Sequence, residues 1–232
     1  MGKRKKKSPI ERLLITIESP RSPISEQYRT LRTNIQYASV DKELKTIMIT
    51  SPNPGEGKST TIANLAIVFA QQGKKVLLVD TDLRKPTIHY TFHMHNTVGL
   101  TNVLMKQSIL GEAIQQTPVT DLYILTCGTI PPYPAELLGS TMMTELIERL
   151  KVDFDVVLFD TPPLLAVTDA QILANKCDAA ILVVKSGSTE RDGAIRARDI
   201  LANSSCRLLG TVLNNKKMKD SQYQTTYYYG QT

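Results

Sequence analysis

No stretch of this 232-residue chain approaches the ~18 consecutive apolar residues that a membrane-spanning helix needs. The basic N-terminus is not followed by the apolar core of a secretory signal, so neither a span nor an export signal is expected. Cysteine is scarce: Cys127, Cys177 and Cys206 are odd in number, far apart in sequence and without a CxxC pair. That excludes a disulfide framework, disfavours a zinc site and is consistent with buried thiols in a reducing cytosol. Excess charge is scarce once one run is set aside. Lys and Arg total 28 against 22 Asp and Glu, but Lys3, Arg4, Lys5, Lys6 and Lys7 leave 23 against 22 over the rest. A nucleic-acid-binding domain carries its positive excess on the folded body, so nucleic acid is not an expected partner. The run reads either as a solvated tail or, beside a membrane-tethered partner, as a segment held to anionic lipid at about 1 kcal/mol per charge.

What is present is a globular composition, 41% hydrophobic and 22% charged, with length for one core and too little for two full domains. Residues 1–22, with Pro9 and Pro20, read as a basic, flexible segment. Ser25 reads as the N-cap of an amphipathic helix over 25–38, on the spacing of Tyr28, Leu31 and Ile35. From there apolar strand-length runs occur at 46–50, 75–79, 122–126, 155–159, 179–184 and 208–213. Helical stretches are expected at 58–72, 99–116, 135–150, 168–176 and 189–203, with Gly73 and Gly210 at helix stops. The runs are continuous rather than alternating, as in strands buried on both faces. The alternation predicts an α/β fold: one doubly wound, mostly parallel sheet in a single domain over 23–215. Residues 216–232 are polar, aperiodic and tyrosine-rich, and read as a disordered tail.

The strongest local signal is Ser51-Pro-Asn-Pro-Gly-Glu-Gly-Lys-Ser-Thr60, placed after a predicted strand and opening a predicted helix. Gly55 and Gly57 let backbone N–H groups around Glu56 turn toward phosphate oxygens, and the helix N-terminus adds its positive end. Lys58 can bridge outer phosphates, Ser59 can ligate Mg²⁺ and Thr60 can reach an inner phosphate. The first glycine of the usual loop is Pro52 here. A second strand runs into Asp80-Thr81-Asp82-Leu83-Arg84, whose two carboxylates fall on one side at the strand's C-terminal end. A third ends Phe159-Asp160-Thr161-Pro162-Pro163, where Asp160 can hold Mg²⁺ directly or through water. Four of the nine tyrosines, Tyr223, Tyr227, Tyr228 and Tyr229, lie in the polar tail, which cannot bury them. A sticky tail and a tail that is itself a substrate both fit that composition.

This order of motifs resembles the bacterial tyrosine kinases, the BY-kinases, from Glu26 to the terminal tyrosines. The resemblance implies a P-loop NTPase fold of the MinD/ParA-related type, ATP and Mg²⁺ as cofactors, and protein-tyrosine kinase activity on the tail and on other proteins. It implies a metal held by Ser59, Asp82 and Asp160, with Asp80 taking the tyrosine proton, although sequence alone does not separate Asp80 from Asp82 as base. Asn214 falls where the wider superfamily reads adenine. Glu26, Arg29 and Arg32 match a helix that the family uses between subunits of a homo-oligomeric ring; by spacing alone they are also ordinary surface ion pairs. The resemblance further implies a transmembrane activator, a phosphotyrosine phosphatase, a role in exopolysaccharide or capsule synthesis, and a cytoplasmic location held at the membrane by a partner. The alternative is a MinD/ParA-like ATPase switch cycling on a membrane or DNA surface. Asn53 stands where such switches carry a signature lysine, and a membrane-cycling switch would end in an amphipathic helix rather than a polar tail.

Overall fold

A computed structural model of the chain describes residues 14–38 and 43–217. Seven strands form one sheet: β1 (Thr46–Thr50), β2 (Val76–Asp80), β3 (Ile114–Gln116), β4 (Leu122–Leu125), β5 (Val156–Asp160), β6 (Ala179–Lys185) and β7 (Arg207–Asn214). Their order is β3-β4-β2-β5-β1-β6-β7, and only the β3–β4 pair is antiparallel. Every residue of β1, β2 and β5 is buried, which their continuous apolar runs require. Alternate side chains leave by opposite faces. Met48, Leu77, Val79, Val157 and Phe159 enter one core; Ile47, Ile49, Val76, Leu78, Val156 and Leu158 enter the other.

The second core is closed by two stacked helices, α2 (Pro23–Ala38) over α3 (Lys58–Ala70). Helix α3 is buried almost all round because α2 covers its outer side through Tyr28, Leu31 and Ile35. Residues 14–22, expected to belong to a flexible segment, instead carry a short helix, α1 (Ile15–Glu18). Thr16 is fully buried, and its N–H and hydroxyl both donate to Asn64 Oδ1 of α3, at 3.1 and 2.9 Å. The basic run and the tyrosine tail lie outside the described residues.

Four local expectations change. Ser25 is the third residue of α2, not its cap; Ser22 Oγ accepts the Ser25 N–H at 3.2 Å, and Pro23 opens the helix where its missing N–H costs nothing. Ser25 Oγ reaches back to the Ser19 and Ile15 carbonyls and fastens the α1 turn. The helix expected over 99–116 is two short helices, α4 being Ile88–Thr91, α5 Leu100–Leu104 and α6 Leu110–Ala113, followed by edge strand β3. The break lies at Lys106, which takes a left-handed φ of 59°. The helix expected over 135–150 divides at Ser140 into α7 (Pro134–Gly139) and α8 (Thr141–Asp153), Ser140 Oγ capping the Met143 N–H. Gly210 stops no helix: it lies within β7, opposite a register shift at Ala180/Ile181, with φ 151°. Helices α9 (Asp169–Ala174) and α10 (Arg191–Ala202) complete the layer over the first core.

Candidate active site

Strand order gathers the motifs at one edge. Strand β5 lies between β2 and β1, with Asp160 paired to Asp80 on one side and to Ile49 on the other. The two carboxylate strands and the strand feeding the phosphate loop are thus neighbours, at the C-terminal edge where open α/β sheets bind ligands. Thr50 Oγ1 donates to the Pro162 carbonyl and Thr161 Oγ1 to the Ile49 carbonyl, both at 3.0 Å, stitching the ends of β1 and β5.

Residues 51–57 form the loop between β1 and α3. Gly55 and Gly57 have φ of 80° and 95°, a region that suits glycine. Gly57 has a second constraint, since a Cβ there would stand 2.0 Å from Asn214 Nδ2. No side chain caps the N-terminus of α3, so the N–H groups of its first turn, Lys58 to Thr60, face the loop and can take an anion. Lys58 Nζ lies 3.4 Å from Ser59 Oγ and 3.4 Å from Asp82 Oδ2, bringing three predicted residues to one point.

Asp80 and Asp160 are fully buried and Asp82 is nearly so. Asp80 Oδ2 accepts the N–H groups of Thr87 (2.9 Å) and Ile88 (3.0 Å), whereas Oδ1 has only a 3.3 Å contact from the Asp82 N–H. Burial pushes the Asp80 carboxyl up to about 8, helped by the charge of Asp160 and, less, of Asp82, against the two backbone donors. Asp82 Oδ1 accepts the Lys85 N–H at 3.0 Å, leaving Oδ2 toward Lys58. The donors are hydroxyl and carboxylate oxygens, the set that Mg²⁺ takes, and a divalent cation would offset the repulsion among the carboxylates. Among the described residues no group of three or more His, Cys, Asp or Glu forms a protein-only metal cage.

Other predicted residues have more than one engagement. The Glu56 side chain turns away from the phosphate side: Oε2 accepts the Asn53 N–H at 2.9 Å and Oε1 the Thr189 hydroxyl at 2.6 Å. Asn214 Nδ2 donates to the Glu56 carbonyl at 2.9 Å, so Asn214 rests on the loop itself. On α2, Arg29 pairs with Glu26 and donates to the Pro20 carbonyl, and Arg32 donates to the Val68 carbonyl of α3 at 2.9 Å. Arg84, in the same motif as Asp80 and Asp82, carries no role legible from sequence. Arg84 grips the fully buried Asp169 with two bonds, of 2.8 and 3.0 Å, and locks the Asp82 loop to the start of α9. Nothing local marks Asp169 or Thr189, because each acts across more than 80 residues of chain.

Residues 44–201 match the AAA domain family AAA_31. The chain is 55% identical over 224 residues to tyrosine-protein kinase YwqD of Bacillus subtilis (strain 168), covering 96% of this chain and 93% of the relative. Among solved structures it is similar to the chimerical protein CapA2B2, at a TM-score of 0.86 and 41% identity, over 90% of this chain and 93% of that one. It is similar to the kinase domain of Escherichia coli tyrosine kinase ETK at a TM-score of 0.86 and 30% identity, over 94% and 85%. A more distant likeness, TM-score 0.64 at 25% identity over 78% and 76%, is to the septum site-determining protein MinD of Pyrococcus horikoshii OT3 complexed with Mg-ADP. The sheet order, the phosphate loop and these likenesses agree: the chain belongs to the bacterial tyrosine-protein kinases, on a P-loop fold of the MinD-related type.

Proposed function

We propose that the chain moves the γ-phosphoryl of ATP to tyrosine hydroxyls of its own tail, at Tyr223, Tyr227, Tyr228 and Tyr229, and of other proteins. The observation that carries this is the meeting of Lys58, Ser59 and Asp82 at the open N-terminus of α3, beside the Asp80–Asp160 pair. The N–H groups from Gly55 to Thr60 would hold the phosphates. Lys58 would lie against the bridging and outer oxygens, where negative charge grows as the phosphoryl leaves. Ser59, Asp82 and Asp160 would hold Mg²⁺, which when bound neutralises phosphate charge. Asp80 Oδ1, the less occupied oxygen, would take the tyrosine proton. Phosphoryl transfer asks mainly for such positioning.

A switch of the MinD/ParA kind is less well supported. Asn53 occupies the signature-lysine position, and its amide is turned toward Glu56 of the same loop, 3.3 Å away. Replacing Lys58 with Met tests the reading. With γ-labelled ATP and Mg²⁺ the wild type should label its tail tyrosines and the variant should not. Labelling at the wild-type level in the variant, or release of free phosphate alone by the wild type, would overturn it.

The partners follow from the same reading. A transmembrane activator would complete the site, as the likeness to the CapA2B2 chimera supports, and a phosphotyrosine phosphatase would reset the tail. No helix among the described residues is long and apolar enough to cross a membrane, so a partner would hold the chain at the inner face. The setting would be exopolysaccharide or capsule synthesis. Unphosphorylated chains would form a ring through Glu26, Arg29 and Arg32. Full tail phosphorylation, adding roughly −6 to −8 charges, would open it by repulsion from Asp80, Asp82 and Asp160. Light scattering of the wild type and of Arg29→Ala/Arg32→Ala checks the ring: a wild-type monomer, or a ring unmoved by either change, would refute it.

A further inference from the structure

Glu56 poses a physical problem. It is 3% exposed, lies in a loop shaped for an anion, and takes part in none of the ion pairs among the described residues. Such a charge works against a bound phosphate unless it is tied to something else. It accepts the Asn53 N–H, the Asn53 Nδ2 amide and the Thr189 hydroxyl, at 2.9, 3.3 and 2.6 Å. A 2.6 Å O–H···O⁻ contact falls in the short, strong class.

Thr189 lies in the turn between β6 and α10. While donating to Glu56, its Oγ1 accepts the Lys185 N–H at 2.7 Å and closes that turn. The next residue, Ser186, donates its N–H to the Asn214 carbonyl at 2.9 Å. Asn214 Nδ2 returns to the Glu56 carbonyl at 2.9 Å. The bonds form a circuit: Glu56 carboxylate, Thr189, the 185–189 turn, the end of β7, and Glu56 again through its backbone. Three segments far apart in sequence are fixed against one another at the C-terminal edge of the sheet.

We propose that Thr189 is a positioning residue for the nucleotide. It touches no substrate; through Glu56 and the 185–189 turn it holds the phosphate loop at a set distance from Asn214, so that phosphates and base are gripped together. This rests on reading the loop as the nucleotide site and Asn214 as base-facing. With the Thr189 hydroxyl removed, the two Asn53 donors still hold Glu56, so the phosphate loop keeps its shape and the base edge loses its registration.

The test titrates the full chain, with Mg²⁺, against ADP and against pyrophosphate, which has no base. Thr189→Val keeps the shape without the hydroxyl, and Thr189→Ser restores the hydroxyl. In Thr189→Val, ADP affinity should fall at least about 5-fold, pyrophosphate affinity should stay within about twofold, and KM for ATP should rise while kcat at saturation holds. Thr189→Ser should bring ADP binding back. Adding Thr189→Val to Asn214→Ala should cost little more than Asn214→Ala alone, because both cut one circuit. Equal ADP affinity in Thr189→Val and wild type, parallel losses of ADP and pyrophosphate, failure of the serine to rescue, or additive losses in the double variant would each overturn the inference. A wild type that binds neither ligand would instead overturn the nucleotide site, and this inference with it.

Discussion

Two carboxylates at opposite ends of the same sheet are displaced in opposite directions. Asp178, just before β6, opposes burial with a full set of donors: the Thr46 hydroxyl (2.8 Å) and N–H (2.9 Å), Lys151 (3.4 Å) and the Lys45 N–H (3.2 Å). Burial alone would raise its pKa; those donors hold it below the ordinary value. Asp80, at the end of β2, is raised to about 8 by burial, by Asp160 and less by Asp82, against only the backbone donors of Thr87 and Ile88. At the N-terminal edge the fold completes its own electrostatics. At the C-terminal edge it sets Asp80 beside Asp160 and Asp82 beside Lys58, and leaves the Asp80 carboxyl with fewer compensating groups.

The comparison breaks most readily at the C-terminal edge. Asp80→Asn should keep acceptors for the Thr87 and Ile88 N–H groups, lower kcat by about 10²–10⁴-fold and spare nucleotide affinity. Asp82→Ala should lower both, since Asp82 faces Lys58 at 3.4 Å and is the carboxylate proposed to hold metal. Titration of a fluorescent ATP analogue beside a phosphotyrosine assay separates them; equal affinity losses would refute the division of roles. Asp80→Asn should also unfold no earlier than wild type, because burial and Asp160 already disfavour the charged form that the amide replaces. A clear drop in its Tm would place Asp80 with Asp178 as a structural carboxylate.

Asp169 sharpens the rule. It is fully buried near the C-terminal edge, yet Arg84 satisfies it with two bonds, so its partner is supplied within the fold. Arg84→Ala strands a buried carboxylate and should cost about 1–3 kcal/mol, roughly 2–4 °C in Tm for each. Asp169→Asn leaves the half-exposed guanidinium free to reach water and should cost less. Calorimetry on the two variants decides; the reverse order would mean that the arginine, not the acid, is the group needing a partner.

How far sequence reads this molecule follows the same line between local and distant contacts. The strand–loop–helix from Thr46 through Ala70 is legible because a buried run, two glycines and a lysine are contiguous. So are the strand ends Asp80, Asp82 and Asp160. What sequence could not supply is that β5 inserts between β2 and β1 and sets Asp160 opposite Asp80. Edge strand β3 has three residues, too few for any period to register. Thr16 on Asn64, Arg84 on Asp169 and Thr189 on Glu56 are single side chains meeting across 48 to 133 positions. Ser25 and Ser22 are both plausible caps by type, and Pro23 decides between them by opening the helix.

The smallest expected effect is the pH response of Asp178. Its folded pKa lies below the ordinary carboxylate value, near 3.9 in the unfolded chain. Folding therefore favours its ionised form. The stability it contributes is complete above the unfolded pKa and is lost as pH falls through the folded one. In Asp178→Asn that contribution is gone at every pH. Wild type minus variant, taken from urea midpoints, should therefore be constant from about pH 7 to 5 and shrink toward zero as pH drops below about 4. Using the difference cancels the other acids, which titrate alike in both proteins. Salt should reduce it only slightly, since the donors from Thr46 are neutral and the Asp178 side chain is 16% exposed. A difference that stays flat through pH 3 would mean that Asp178 acts by shape rather than charge, and one that grows on acidification would mean that its pKa is raised. Either result would remove the contrast with Asp80.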